Sequence, residues 1–201
     1  MEGDQNTGAK FILGITGGVG SGKSRILKLL EKQYGFHVIQ ADLAAKRLME
    51  PGGSCLLQLE KLMGSEILQK DGSLNRPAMA ERIFSDPCLR EQVDRLIHPL
   101  VWEAVFREAR ECEEKQVVVE AAVLSKVFRD NCTKIWYVYT SREVRANRLE
   151  EGRGYSRSKT ESVMRSQASD EEFRVFSDAV IDNSGSFQET EEQIRRLLSK
   201  Y

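Results

Sequence analysis

The sequence predicts an α/β fold, a parallel sheet with helices packed on it and a long helical insertion. Three observations carry this. Five short apolar runs, at residues 11–15, 36–39, 117–119, 135–139 and 179–181, are bounded by turn or polar residues and separated by segments of helical periodicity. The first run leads directly into a glycine-rich loop and then a helix. The chain of 201 residues with 40% hydrophobic content suffices for one core with an inserted subdomain.

The opening strand, residues 11–15, is followed by Gly17-Gly18-Val19-Gly20-Ser21-Gly22-Lys23-Ser24, which has the G-x-x-x-x-G-K-S spacing of a P-loop, or Walker A motif. A polyphosphate is wrapped by several backbone N–H groups at once, so the loop needs residues that tolerate positive φ and close approach. Lys23 reaches the β- and γ-phosphates as a point charge, and the Ser24 hydroxyl suits Mg²⁺. The helix that follows, with Ile26, Leu27, Leu29 and Leu30 at helical spacing, points its positive end at the phosphates. Gly35 fits its C-cap. The expected nucleotide contacts are Gly18, Val19, Gly20, Ser21, Gly22, Lys23, Ser24 and Arg25. The motif specifies a nucleoside triphosphate and leaves the acceptor open.

Composition narrows the classes. A net charge of -1 gives no global field to attract nucleic acid or an anionic membrane. No apolar run approaches the roughly 18 residues of a membrane span. The N-terminal MEGDQNTGAK lacks the apolar core of a secretory signal and reads as a polar lead-in. Cys55, Cys88, Cys112 and Cys132 show no C-x-x-C spacing, and His37 and His98 do not complete a metal pattern with them. Reduced, mostly buried thiols in a cytoplasmic protein are expected.

The second strand ends at Gln40-Ala41-Asp42. Ligands of open α/β sheets sit at the carboxyl ends of strands, so Asp42 is placed either to accept a proton from an attacking hydroxyl or to cap a helix starting at Leu43. Residues 44–114 are helical and charged. Ser54 can cap one helix, Lys70-Asp71-Gly72-Ser73 is a turn, Pro77 suits a first turn, and Asp86-Pro87 is a cap followed by proline at the first helical position. His98-Pro99 reads as an interruption before another helix over residues 100–113, with His98 contacting substrate or capping. This block is far longer than a crossover helix and reads as part of an acceptor pocket.

The third strand ends in Glu120, in the manner of a Walker B carboxylate that holds Mg²⁺ through water. After the fourth strand, Thr140-Ser141-Arg142-Glu143 fits a capping box, and the helix runs to about residue 151. Gly152 and Gly154 break it, and Ser158 with Glu161 can cap a second helix. Arg145, Arg148 and Arg153 are candidates for a lid over phosphates, since the planar guanidinium matches phosphate oxygens. Asp182-Asn183-Ser184-Gly185 follows the last strand as a resting place for a base, with Asn183 a candidate contact. An amphipathic helix over residues 188–199 closes the chain.

Taken together, ITGGVGSGKS, VIQAD, EPGG at 50–53, KDGSLNR at 70–76, RIF at 82–84, LIHPLV at 96–101 and VIDNSG at 180–185 resemble dephospho-CoA kinase, in that family's order. The resemblance implies ATP-dependent phosphorylation of the ribose 3′-hydroxyl of dephospho-CoA. It implies a P-loop kinase core with a five-stranded parallel sheet (residues 11–42, 116–141 and 175–201), a helical CoA-binding subdomain (43–115) and a lid (142–174). By resemblance Asp42 faces the acceptor hydroxyl, His98 lies near the substrate and Arg148 is a lid arginine. The catalytic set is then Asp42, Lys23 and Arg148. Mg²⁺ is the expected cofactor, ATP and dephospho-CoA the partners, with no nucleic acid or membrane, and the chain is expected to be a monomer. The alternatives are a nucleoside or nucleotide kinase on the same core and a nucleotide-dependent switch. The long insertion argues for a larger acceptor than a nucleoside. The Asn-Lys-x-Asp of guanine readers is absent from the sequence.

Overall fold

The computed structural model describes residues 10–201, so the polar lead-in falls outside the described residues except for Lys10. The chain divides into two compact units. One is Ile39–Glu111, and the other joins the described residues up to Val38 with Cys112–Tyr201.

Five strands, β1 (Phe11–Thr16), β2 (His37–Gln40), β3 (Gln116–Glu120), β4 (Lys134–Tyr139) and β5 (Ala179–Asp182), form one sheet in the order β2-β3-β1-β4-β5. β1 is central and runs parallel to β3, with Ile15 beside Glu120, and to β4. β4 runs parallel to β5. The strands are near-continuous apolar runs because a parallel sheet is covered on both faces. Leu13, Ile15, Val118, Trp136 and Val138 pack with Ile26, Leu27 and Leu30 of α1 (Lys23–Tyr34) and Ile194 of α10 (Phe187–Leu198). Each such fully buried side chain contributes roughly 1.5–3 kcal/mol. As the sequence suggested, α1 stops at Gly35, which takes φ +69° and donates its N–H to Leu30 O.

Some boundaries differ from expectation. α7 (Arg142–Arg153) is capped by Ser141, whose Oγ accepts from Val144 N–H at 3.4 Å, and runs through Gly152 to stop at Gly154 with φ +63°. Ser156, not Ser158, caps α8 (Arg157–Arg165). Two helices had not been anticipated, α6 (Lys126–Asn131) and α9 (Asp170–Phe176). α6 buries only Phe128, too little for a periodic signal, whereas α9 opens on a capping box between Ser169 and Glu172.

The smaller unit is helical: α2 (Ala41–Leu48), α3 (Ser54–Met63), a 3₁₀ turn (Ser65–Ile67), α4 (Arg76–Ser85) and the 25-residue α5 (Pro87–Glu111). α2, α3 and α4 all pack on α5. Gly53 takes the N-cap of α3, and Ser54 is its first helical residue. Asn75 Oδ1 caps α4 through Ala78 N–H, and Asp86 Oδ1 caps α5 through Cys88 and Leu89 N–H at 2.9 and 3.0 Å. The interruption expected at His98-Pro99 does not occur, because α5 runs straight through Pro99. A proline inside a helix costs about 3 kcal/mol. Val93, Ile97, Val101, Val105 and Ala109 form a buried ladder four residues apart that crosses it, joined by Trp102 and Phe106. Burial of the residues beyond the proline outweighs that cost.

Candidate active site

β1 delivers the chain to the glycine loop at the carboxyl end of the sheet. Gly17 and Gly22 are the positions that demand glycine: a Cβ at Gly17, at φ +146°, would stand 2.6 Å from Val138 O, and one at Gly22, at φ +89°, 2.3 Å from Asn183 Nδ2. Lys23 Nζ donates to Gly17 O at 2.6 Å and Gly18 O at 3.3 Å, and it stands 3.5 Å from Glu120 Oε1. Arg145 Nε donates to Val19 O at 3.2 Å. Ser21 O accepts from the Thr140 hydroxyl, Asn183 Nδ2 and Arg148, at 3.0, 2.8 and 3.4 Å. The loop carbonyls, which would repel phosphate, are thus taken up by cations, amides and a hydroxyl. What is left is a concave run of amides at the start of α1, charge-complementary to an anion.

The same contacts locate the sequence-derived candidates. Arg145 is buried under the loop, and Arg148 donates to Asn183 O at 3.0 Å as well as to Ser21 O. Arg153 is exposed at the end of α7. Asn183 is buried, and its amide oxygen accepts from the Thr190 hydroxyl at 3.0 Å, so its side chain braces the loop. The Arg25 guanidinium lies 3.7 Å over the Phe187 ring, and the Arg25 backbone N–H donates to Gly22 O at 3.1 Å. Gln167 was missed by sequence reasoning. Its Oε1 accepts from Val19 N–H at 3.0 Å and from Arg145 at 2.9 Å, joining the loop to the segment after α8. Gln167 and Val19 stand 148 positions apart in the sequence, so no local pattern announces that bond.

Glu120 ends β3 and is buried beside Lys23, while Ser24 is exposed in the first turn of α1. Among the described residues no group of three or more His, Cys, Asp and Glu is placed to hold a metal. One hydroxyl and one carboxylate beside a phosphate cradle suit Mg²⁺, which prefers few protein ligands and completes its shell with phosphate oxygens and water.

Asp42 and His98 belong to the helical unit. α2 begins at Ala41, immediately after β2, and Gln40 is its N-cap, so Asp42 is the second helical residue and not the cap. It is exposed, leaving its carboxylate available. His98 lies on the surface of α5 with its Nε2 4.0 Å from Asp94 Oδ1. Of the cysteines only Cys55 is fully buried and Cys88 is exposed, fewer buried thiols than expected. Burial pushes the Cys132 thiol up to about 12.

A glycine loop closed by Lys23, at the carboxyl end of a five-stranded parallel sheet, is the phosphate-binding arrangement of a P-loop nucleotide-binding protein. The family model for dephospho-CoA kinase matches residues 11–189. The chain is 33% identical over 191 residues to the dephospho-CoA kinase of Geobacter metallireducens, covering 93% of this chain and 94% of that one. It is 31% identical over 192 residues to the enzyme of Staphylococcus epidermidis, covering 94% of each. The crystal structure of TT1252 from Thermus thermophilus superposes with a TM-score of 0.80 at 29% identity, covering 96% of this chain and 98% of that one. The chain belongs to the dephospho-CoA kinase family. It is a kinase, and no helix among the described residues is long and apolar enough to cross a membrane.

Proposed function

We propose that this chain transfers the γ-phosphate of ATP to the ribose 3′-hydroxyl of dephospho-CoA, giving coenzyme A and ADP, through the residues described above. The observation that carries the donor half is Lys23, bound to two loop carbonyls and paired with Glu120 at the foot of the glycine loop. Family membership over nearly the whole chain supports the acceptor. The nucleoside-kinase alternative is disfavoured by the same match.

The loop from Gly18 to Arg25 cradles the phosphates with its amides, and Lys23 follows the charge that develops on the transferred group. The Ser24 hydroxyl and the Glu120 carboxylate, the latter through water, would hold Mg²⁺, which when bound offsets charge on the β- and γ-oxygens. Arg148 and Asn183 hold the loop in shape, and Arg148 adds positive charge beside the phosphates. Asp42 takes the proton of the 3′-hydroxyl as its oxygen bonds to the γ-phosphorus and the bond to ADP breaks. Such transfer is mostly positioning and electrostatics.

Residues 43–115 hold the acceptor, with His98 contacting it. The 142–174 segment closes over the phosphates, moving mainly in α8, because α7 is tied to the loop by Arg145 and Arg148. The enzyme works as a cytoplasmic monomer. The test is ADP release from ATP with dephospho-CoA, adenosine or buffer alone. Release well above both controls only with dephospho-CoA is expected. Equal release with adenosine would select the nucleoside kinase, and release independent of acceptor would select a nucleotide hydrolase or switch.

A further inference from the structure

One guanidinium in the sheet unit joins three segments. Arg145, near the start of α7, is only 6% exposed. Its Nε donates to Val19 O at 3.2 Å and its Nη2 to Gln167 Oε1 at 2.9 Å. It lies directly against the loop, since a Cβ at Gly18 would stand 2.2 Å from Nη2. Both hydrogen-bond partners are neutral, and a buried cation without a countercharge is costly. Among the described residues the one carboxylate paired with Arg145 is Asp170, the first residue of α9, whose Oδ1 stands 4.0 Å from Nη1. That distance gives attraction between charges, not a hydrogen bond.

The carboxylate is itself held in place. Tyr137 donates its hydroxyl to the same Oδ1 at 2.6 Å. The Tyr137 side chain is buried, and its ring stacks on Phe173 of α9 with centroids 4.8 Å apart. Burial, with Asp170 beside it, holds the Tyr137 phenol above its ordinary range, so the hydroxyl stays a donor. Tyr137 also pairs in register with Thr16, the last residue of β1 before the glycine loop. Val19 O and the Gly20 N–H belong to one planar trans peptide, so a group that holds the carbonyl on one side aims the amide to the other. We infer that Asp170 and Tyr137 are positioning residues for the ATP phosphates: the pair fixes the Arg145 guanidinium against Val19 O, and the Gly20 amide is thereby aimed into the cradle. The inference rests on the proposed use of the loop for ATP and deepens it.

The test is the affinity of the full chain for ATP with Mg²⁺, measured by titration calorimetry, so the result does not depend on turnover or acceptor. Tyr137→Phe keeps the stacked ring and removes only the hydroxyl. Asp170→Asn keeps an acceptor for Tyr137 and removes only the charge. Each should weaken ATP about fivefold, the scale of one hydrogen bond or ion contact. The sign for Asp170→Asn is diagnostic. Removing a negative charge near an anion site would, through the field alone, tighten ATP; loss of positioning weakens it. In an Arg145→Gln background, itself weaker for ATP, both substitutions should have almost no further effect, because both act through the guanidinium. Unaltered or tighter binding in Asp170→Asn, unaltered binding in Tyr137→Phe, or the full fivefold loss persisting in the Arg145→Gln background would each overturn the inference. Absence of ATP binding to wild type would instead overturn the proposed donor reading, and this inference with it.

Discussion

Lys23 holds two carbonyls of its own loop and pairs with Glu120, so one ammonium shapes the cradle and supplies its charge. Lys23→Ala should therefore lower kcat by 10² or more, the effect of losing about 3 kcal/mol of transition-state stabilisation, with the helical circular-dichroism signal retained. Turnover above about a tenth of wild type at saturating ATP would contradict this. Arg148 differs in kind, because its guanidinium already spans Ser21 O and Asn183 O. In Arg148→Ala, kcat should fall more than ATP affinity. A raised KM for ATP with normal kcat would reduce Arg148 to a brace. Motif spacing and strand ends made Lys23, Ser24 and Glu120 candidates, and the structure places Lys23 beside Glu120. Asn183 was legible as a position; its donation to Ser21 O and its acceptance from the Thr190 hydroxyl, which also brace the loop, were not.

At the scale of elements, the junction of the loop with α7 and the segment after α8 depends on one amide. Gln167→Ala removes the acceptor of both Val19 N–H and Arg145. The KM for ATP should rise about tenfold, while a Gln167→Glu variant, which keeps the acceptor, should recover most of the loss; equal losses in both would refute the bond's role. A second tie joins α6 to the sheet. Arg129 binds both carboxylate oxygens of Asp178, at 2.5 and 3.0 Å, and Ile135 N–H donates to the same group at 2.7 Å. The Arg129 hydrogen bonds hold the Asp178 carboxyl below the usual carboxylate range. Its folded value thus lies under the unfolded value of about 3.9, and the tie stabilises the fold above that pH and is lost as pH falls through the folded value. Asp178→Asn should lower Tm at pH 7, with the difference from wild type shrinking below about pH 4. A pH-independent difference would assign the loss to packing. Strands were readable because buried parallel strands are continuous apolar runs. Pro99 misled because local propensity stops a helix there, while the buried ladder from Val93 to Ala109 carries it on.

At the scale of the whole molecule, the residues proposed to serve the donor and the acceptor fall in different units. Lys23, Glu120 and Arg148 belong to the sheet unit, and Asp42 and His98 to Ile39–Glu111. The length of the insertion between β2 and β3 led to the expectation of a helical subdomain over residues 43–115; the compact unit of the structure is Ile39–Glu111. A cavity in that unit was not legible, because its walls come from three helices that no single periodic pattern joins. The central claim is that the helical unit supplies the base, and Asp42→Asn tests it most directly. The substitution keeps size and a good residue for a helix start while removing the charge. Gln40, not Asp42, is the N-cap, so the fold has little reason to notice. With ATP and dephospho-CoA at saturation, kcat should fall by roughly 10² or more with Tm within a degree or so of wild type. Near-normal kcat in Asp42→Asn would contradict the account.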